Sequence, residues 1–582
     1  MQQTHSWVDA IRAIYAIPGP IQILEDRQQS VSDRVQWRRL RIRWQDAGHS
    51  FGLCLNTLRF PAVALRVFVT RFHESGRRRL FEDEALQRAI AHAYWQTTWA
   101  GSAIRVQRGE TWPVAFVPIH RPVANQAPPA FREPFSLGAR HWIFGRERWL
   151  LWQLQRLAEQ GRLFWQDGRF DADADPEWLA YLQARGFIDQ FIGDNRSLSG
   201  RRRIEKLVPV HGSHLLTRLA SGEAVHFSAG NIDPQTILAA TNSGFFLNFP
   251  EEYGHSWAAM NDPVGLFIEH GEIAQLPIVR RGALLVDTVG RATVARVSMR
   301  HVALRLPWET AWRECEQAPG FTLDDFDSAG HEMAVYTPAF RADGAPKARR
   351  TPEAAVLDLT VLFGEVVEAR VGGGTPIPAS GLVVSVPLAW LPSSDPEAIL
   401  KSQAAPLRFR FLHERFGLQA IRTAVAAGPV LLEDGEHLIL PDYFSHGRED
   451  FRPAHHDHGR WVTAGLPPTR FPHDVTETRA PRTLAGVLPS GDLMLMIVDG
   501  RLQDHSIGAT LSEAAALLRA AGCVSGLNLD GGGSSVLYLH QVAGTVPPLA
   551  SGVRSGMVNL PSDLGHQERL IPVPLFVMDN GG

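Results

Sequence analysis

Between Leu493 and Ser535 the chain reads "LMLMIVDGRLQDHSIGATLSEAAALLRAAGCVSGLNLDGGGSS", and no other stretch constrains the fold as tightly. Leu493 to Val498 is an unbroken apolar run ending at Asp499-Gly500, the pattern of a strand buried on both faces. Thr510-Leu511-Ser512-Glu513 is a T-x-x-E capping box, with Glu513 in a capping role, and it opens a helix from Leu511 to about Ala521 that Gly522 closes. A second apolar run reaches Leu529 and then Asp530. Strand, helix, strand predicts a βαβ unit with parallel strands, so Asp499 and Asp530 are expected at the C-terminal ends of both, on one rim of the sheet. With strands about 4.8 Å apart, or twice that across an intervening strand, the two carboxylates are expected roughly 5 to 10 Å apart. That range spans both spacings of paired-carboxylate glycosidases.

The glycine run after Asp530 excludes two common readings. A Walker A loop needs a lysine and a following helix, whereas "GGGSSVLYL" has no lysine and leads into a β-like run. The dinucleotide-binding pattern is absent as well. Three glycines permit close approach of backbone N–H groups to a ligand, with Ser534 and Ser535 as further donors, but they also suit a tight turn. The residues alone leave turn and ligand site open.

The remaining chain sets the context. Its 582 residues, 45% hydrophobic, suffice for two to four domains, and a net charge of -3 gives no global attraction to nucleic acid or anionic membrane. The three cysteines, Cys54, Cys315 and Cys523, are too far apart in sequence for a disulfide framework or a CxxC pair, which fits a reducing compartment. The first residues lack a basic leader and an apolar h-region, and no apolar run is long enough to span a bilayer. A cytoplasmic location is therefore expected, with no membrane partner.

Residues 1–200 are expected to form a separate α+β accessory region, and 205–582 a second domain of mixed α/β class. In the first region "VQWRRLRIRW" suggests an antiparallel strand with a bulge at Arg38-Arg39, where the alternation of Val35 and Trp37 slips to Leu40, Ile42 and Trp44. Arg39, Arg41 and Arg43 then read as a solvated face, with nucleic-acid phosphates as a disfavoured rival. "FEDEALQRAIAHAYW", "RERWLLWQLQRLAEQG" and "DPEWLAYLQARG" read as helices, and the proline-rich residues 121–139 as a linker or long loop. From residue 205 short β-rich runs dominate, with hairpin turns at His270-Gly271 and Asp434-Gly435. His455, His456, Asp457 and His458 invite a metal reading, but adjacent ligands rarely converge on one ion, and an exposed loop without metal is expected.

An ordered set of motifs goes further: "TNSGFF" (241–246), "PVGLFIEHGE" (263–272), "RRGALLVD" (280–287), "AVYTPAF" (334–340), "TPIPASGLVVS" (375–385), "AAGPVLLEDGE" (426–436), "APRTLAGVLPSGDLMLMIVDGR" (480–501), "NLDGGGSS" (528–535) and "VNLPSD" (558–563). Together they resemble the phosphodiester glycosidases, the family whose catalytic domain includes N-acetylglucosamine-1-phosphodiester α-N-acetylglucosaminidase. The resemblance implies hydrolysis of the bond between an anomeric carbon and phosphate in a sugar-1-phosphodiester, small molecule or glycan, without a cofactor. It implies Asp530 and Asp499 as catalytic carboxylates and Arg482 and Arg501 as phosphate clamps. Asn242, Thr483, Asn528 and Ser534 are then hydrogen-bonding positions, and Gly531 and Gly532 backbone donors. Ser243 stands where a second glycine is usual in the family. A non-catalytic binder of phosphorylated sugars or nucleotides on the same fold is the alternative.

Overall fold

A computed structural model gives the architecture. It describes chiefly residues 2–70, 236–246, 263–314, 332–337, 350–392, 407–413, 420–438, 479–540 and 556–579, with short strands elsewhere. The three helices expected within 81–187 and the linker at 121–139 lie outside the described residues.

The centre is an eight-stranded sheet. In chain order its strands are β1 (Gln22–Ser32), β2 (Val35–Asp46), β3 (His49–Phe60), β4 (Val430–Glu433), β5 (Glu436–His437), β6 (Arg482–Val487), β7 (Leu493–Val498) and β8 (Ser525–Asn528). In space the order is β1-β2-β3-β7-β6-β8-β4-β5, and every neighbouring pair is antiparallel. Two helices, α1 (Gln2–Ile14) and α2 (Leu511–Ala520), are the only α-helices among the described residues. The expected α+β or mixed α/β class is therefore corrected: the described protein is mostly β, built from largely antiparallel sheets. The βαβ expectation of two parallel strands with their ends on one rim holds, at twice the neighbour spacing. The strands on either side of α2, β7 and β8, do not pair with each other, because β6 lies between them and runs antiparallel to both. A buried strand–helix–strand pattern looks the same in sequence whether or not an earlier strand fills the gap.

One face of this sheet packs on the helices and the other on two smaller sheets. On the helix side, Leu40, Ile42, Trp44, Leu484, Met494 and Met496 meet Ile11 of α1 and Leu511, Ala515 and Leu518 of α2. Thr510 and Glu513 cap α2 reciprocally, as the sequence predicts, and Tyr15 Oη donates to the Gly508 carbonyl at 3.0 Å, tying the end of α1 to the approach to α2. On the other side, Trp37, Leu58, Ala485, Leu495, Ile497 and Leu527 pack on strands such as Ile237–Asn242, Pro574–Asp579 and Arg281–Asp287. Because both faces of β6, β7 and β8 are covered, β7 is apolar throughout, and β6 and β8 are polar only at Arg482, Thr483, Ser525 and Asn528 near their ends.

The expected division near residue 200 meets one fact directly. β3 pairs with β7 from Leu55↔Val498 to Phe60↔Leu493, and strand Leu65–Val69 pairs with Pro574–Asp579. The first 70 residues are thus woven into the same sheets as the C-terminal segment. β2 differs from expectation too. It pairs with β3 without interruption from Gln36↔Arg59 to Asp46↔His49, so there is no bulge at Arg38-Arg39. The slip arises because β2 passes between two cores. Val35 and Trp37 face the smaller sheets, and Leu40, Ile42 and Trp44 face the helices. Arg39, Arg41 and Arg43 share the face of Trp37, and Arg39 is only 1% exposed, so that stripe is not a solvated face. Both hairpin turns form, with φ of 53° and 86° at His270-Gly271 and 51° and 82° at Asp434-Gly435.

Candidate functional site

β7 ends at Val498, opposite Arg482, so Asp499 follows at the rim, where its N–H donates to the Cys54 carbonyl of β3 at 3.1 Å. Two residues past the end of β8, Asp530 reaches the same rim, its N–H donating to the Ser243 carbonyl at 2.7 Å. The segment Pro481–Thr483 runs between them: Leu529 N donates to the Thr483 carbonyl and Gly532 N to that of Pro481. One strand separates the two aspartates, which puts their backbones about 10 Å apart, the wider end of the expected range.

Asp530 is half-buried, and its Oδ1 accepts from Gly531 N at 2.9 Å. Asn242 holds the loop from behind. Its Nδ2 donates to the Asp530 carbonyl, while its Oδ1 accepts from Thr483 Oγ1 at 2.9 Å and Val536 N at 3.3 Å. Asn242, Thr483 and Ser534 are all buried, at 2% exposure or less, so they shape the loop from inside. Asn528 lies further back, its Nδ2 donating to the Gly428 carbonyl at 2.9 Å. The N–H groups of Gly531 and Gly532 are engaged within the loop, on Asp530 Oδ1 and the Pro481 carbonyl.

Of the two arginines, Arg482 is buried and its Nε donates to the Ala509 carbonyl at 2.9 Å, on the helix side of the sheet. Arg501 is half-buried and stands against the glycine loop: a Cβ on Gly532 would lie 3.2 Å from its Nη2. Gly532 also has φ of +65°, a backbone conformation that favours glycine there. Arg501 itself adopts φ of 61°, a left-handed conformation that costs a non-glycine residue about 1–2 kcal/mol. Strain of that kind concentrates at functional sites.

Asp499 is fully buried, at 0% exposure. Its Oδ2 lies 2.8 Å from His505 Nε2 and accepts from Leu560 N at 3.1 Å. Its Oδ1 is buried with no hydrogen-bond partner among the described residues. The Cys54 thiol completes a cluster in which Sγ, a carboxylate oxygen of Asp499 and a ring nitrogen of His505 lie within 4.8 Å of one another. Burial, then the Asp499 charge, pushes the Cys54 pKa far up, so Cys54 is a neutral thiol. Burial alone would lower the pKa of the nearby Arg39, but Cys54, Asp499 and Glu25 raise it. A fixed guanidinium charge thus already sits beside the buried carboxylate, which disfavours a metal dication in the same place. His505 escaped the sequence reading. Its only signal is its position six residues after Asp499, on the loop that leaves the strand. His455, His456 and Asp457 lie in the short strand Arg452–Asp457, not in a loop.

Comparison with known proteins bears on the same segment. Residues 364–578 match the family model for phosphodiester glycosidases. The resemblance read from the motifs is thereby shown. The matched stretch includes Asp499, Arg501, His505 and Asp530. No curated protein matches. Among solved structures, a hypothetical protein from Synechocystis is 12% identical with a TM-score of 0.38, over 97% of this chain and 64% of that one. This chain therefore spans less than two thirds of that relative's length. A Burkholderia pseudomallei K96243 protein provisionally called exported is 18% identical, TM-score 0.41, over 96% and 97% of the two chains. The zebrafish N-acetylglucosamine-1-phosphodiester α-N-acetylglucosaminidase catalytic domain, auto-inhibited by its pro-peptide, is 11% identical, TM-score 0.32, over 98% and 93%. Scores this low carry no statement about activity. No helix among the described residues is long and apolar enough to cross a membrane.

Proposed function

We propose that the protein is a hydrolase that cleaves the anomeric carbon–oxygen bond of a sugar-1-phosphodiester, giving free sugar and a phosphomonoester. The observation that carries this reading is the placement of Asp530 and Asp499 on either side of Pro481–Thr483, at one rim, inside the segment that matches the family. A phosphate monoester leaves readily without protonation, so the demand falls on the sugar, whose transition state resembles an oxocarbenium ion. Asp530, half-buried at the loop edge, supplies the negative charge that stabilises it. Arg501, against Gly532, holds the phosphate with a charge-assisted, two-pronged contact.

Asp499 is too deep to touch substrate and acts through His505. An ionised carboxylate can only accept, so it fixes the proton on His505 Nε2 and leaves Nδ1 with a free lone pair. Nδ1 then takes a proton from the attacking water as the water oxygen bonds to the anomeric carbon. The bond from that carbon to the phosphate oxygen breaks, its electron pair leaves with the phosphate, and His505 returns the proton to solvent.

Hydrolysis in ¹⁸O-water tests the bond broken. Label in the sugar hydroxyl and none in the phosphate is expected; label in the phosphate means attack at phosphorus and refutes the reading.

A further inference from the structure

Among the described residues, the face of β1, β2 and β3 that adjoins Asp499 holds more guanidinium groups than carboxylates. Cross-strand partners share a face, so the pairs Glu25↔Arg41, Arg27↔Arg39 and Arg41↔Cys54 put Glu25, Arg27, Arg39, Arg41, Arg43 and Cys54 together, with Asp499 next in the row beyond Cys54. On this face the four guanidinium groups Arg27, Arg39, Arg41 and Arg43 face the two carboxylates Glu25 and Asp499. Arg27 is accounted for: it lies over the Trp37 ring at 5.6 Å and donates to Gln29 Oε1 at 3.0 Å. Arg39 sits against Cys54 and Asp499. Glu25 Oε2 lies 3.7 Å from both Arg39 Nε and Arg41 Nη1, so its charge is shared and neither approach is a hydrogen bond.

Arg41 and Arg43 remain. The Nε of each is buried without an acceptor, and Arg43 has no hydrogen-bonding or ionic partner among the described residues. A half-buried guanidinium whose Nε lacks an acceptor is costly, and the surplus implies a negative ligand. Two residues apart on one face, the pair is spaced about 7 Å along the strand, which lets both forks close on one phosphate. Arg43 is paired with Gly52, which has no side chain; instead the carbonyls of Asp504 and His505 pass over it, within 2.7 Å of where a Cβ would stand. The loop that carries His505 thus crosses the sheet on the same face as the two arginines.

We infer that Arg41 and Arg43 form an anion subsite for a phosphate group, distinct from the phosphate held by Arg501. Four strand spacings, about 19 Å, separate β2 from the Asp530 loop, so one phosphate does not serve both places. Given the hydrolase reading, on which only this ligand assignment rests, the occupant is a second phosphate at the far end of the leaving group. The substrate class is then a sugar-1-phosphodiester whose aglycone is itself phosphorylated. The half-buried setting selects a small phosphate over a nucleic-acid backbone.

The test is calorimetric titration of the full chain with inorganic phosphate and with pyrophosphate. The proteins compared are wild type, Arg41→Gln, Arg43→Gln and, as control, Arg38→Gln, whose guanidinium is paired with Asp26 on the other face. Wild type and Arg38→Gln are expected to bind alike, and each of the other two at least tenfold more weakly. In phosphate-free buffer Arg43→Gln is expected to melt no lower than wild type, because it removes an unpaired half-buried charge; added phosphate reverses the order. No binding by wild type, equal binding by all four proteins, or displacement of phosphate by a single-stranded oligonucleotide at lower concentration overturns the subsite. None of these binding results depends on turnover. If the subsite stands and no phosphodiester is cleaved, the hydrolase reading fails by itself and takes the aglycone assignment with it.

Discussion

Strands β6 to β8 and strands β1 to β3 share one sheet but carry opposite patterns. The first set is apolar on both faces along most of its length and polar only at its ends, at Arg482, Thr483, Ser525 and Asn528, and beyond them at Asp499 and Asp530. Toward the helices, β2 and β3 of the second set present Leu40, Ile42, Trp44, Leu53 and Leu55; toward the smaller sheets they mix Val35, Trp37, Leu58 and Phe60 with Arg39, Arg41 and Arg43. Only the first set falls inside the matched segment, 364–578. On the proposed function the difference separates two jobs: β6 to β8 hold the rim that carries Asp499 and Asp530, and β1 to β3 bring a charged wall beside it.

The largest expected effect falls on the rim. Asp530→Asn keeps the Gly531 N–H contact but removes the charge, and steady-state assays should show turnover down by about 10²–10⁴-fold with folding intact. His505→Gln should lower kcat by about 100-fold with little change in KM. Asp499→Asn should match it, and the double variant should lose no more than either alone. An unchanged kcat in His505→Gln would reduce the histidine to a bond donor for Asp499.

Next is the claim that the two strand sets form one body. Leu58→Ala on β3 and Leu495→Ala on β7, which pair directly, should each cost about 2–5 kcal/mol in a single cooperative denaturant transition. A separate, earlier transition for Leu58→Ala would break the comparison.

The smallest effect is alkaline. Burial pushes the Cys523 thiol up to about 12. An unfolded thiol titrates near pH ~8.5, so the stability associated with this group is complete below that pH and falls as pH rises toward the folded value. Denaturant midpoints of Cys523→Ala should therefore decline less steeply over that window, by up to about 1.4 kcal/mol per pH unit.

Much of this was legible in the sequence, and the rest failed for physical reasons. The apolar run at Leu493–Val498, the capping box at Thr510–Glu513 and the glycine run after Asp530 are local signals, and their local consequences formed. The sheet order was not legible, because nothing in the strand–helix–strand pattern tells whether β6 inserts between β7 and β8. The slip at Arg38-Arg39 looked like a bulge because a change of packing partner and a change of register produce the same hydrophobic pattern. Asn242 and Thr483 bear motif residues' identities but serve the loop's interior, a distinction that only burial makes. His505 had no motif of its own; its meaning comes from the Asp499 oxygen 2.8 Å away.

The central claim is that the rim of β7, β6 and β8 cleaves sugar-1-phosphodiesters. Release of reducing sugar from a panel of such diesters, nucleotide sugars and phosphorylated aglycones included, tests it directly with wild type beside Asp530→Asn. Turnover by wild type that collapses in the variant is the predicted result. Equal turnover in both proteins, or none by wild type while phosphorylated sugars raise the melting temperature of both, would contradict it and make the rim a binding surface.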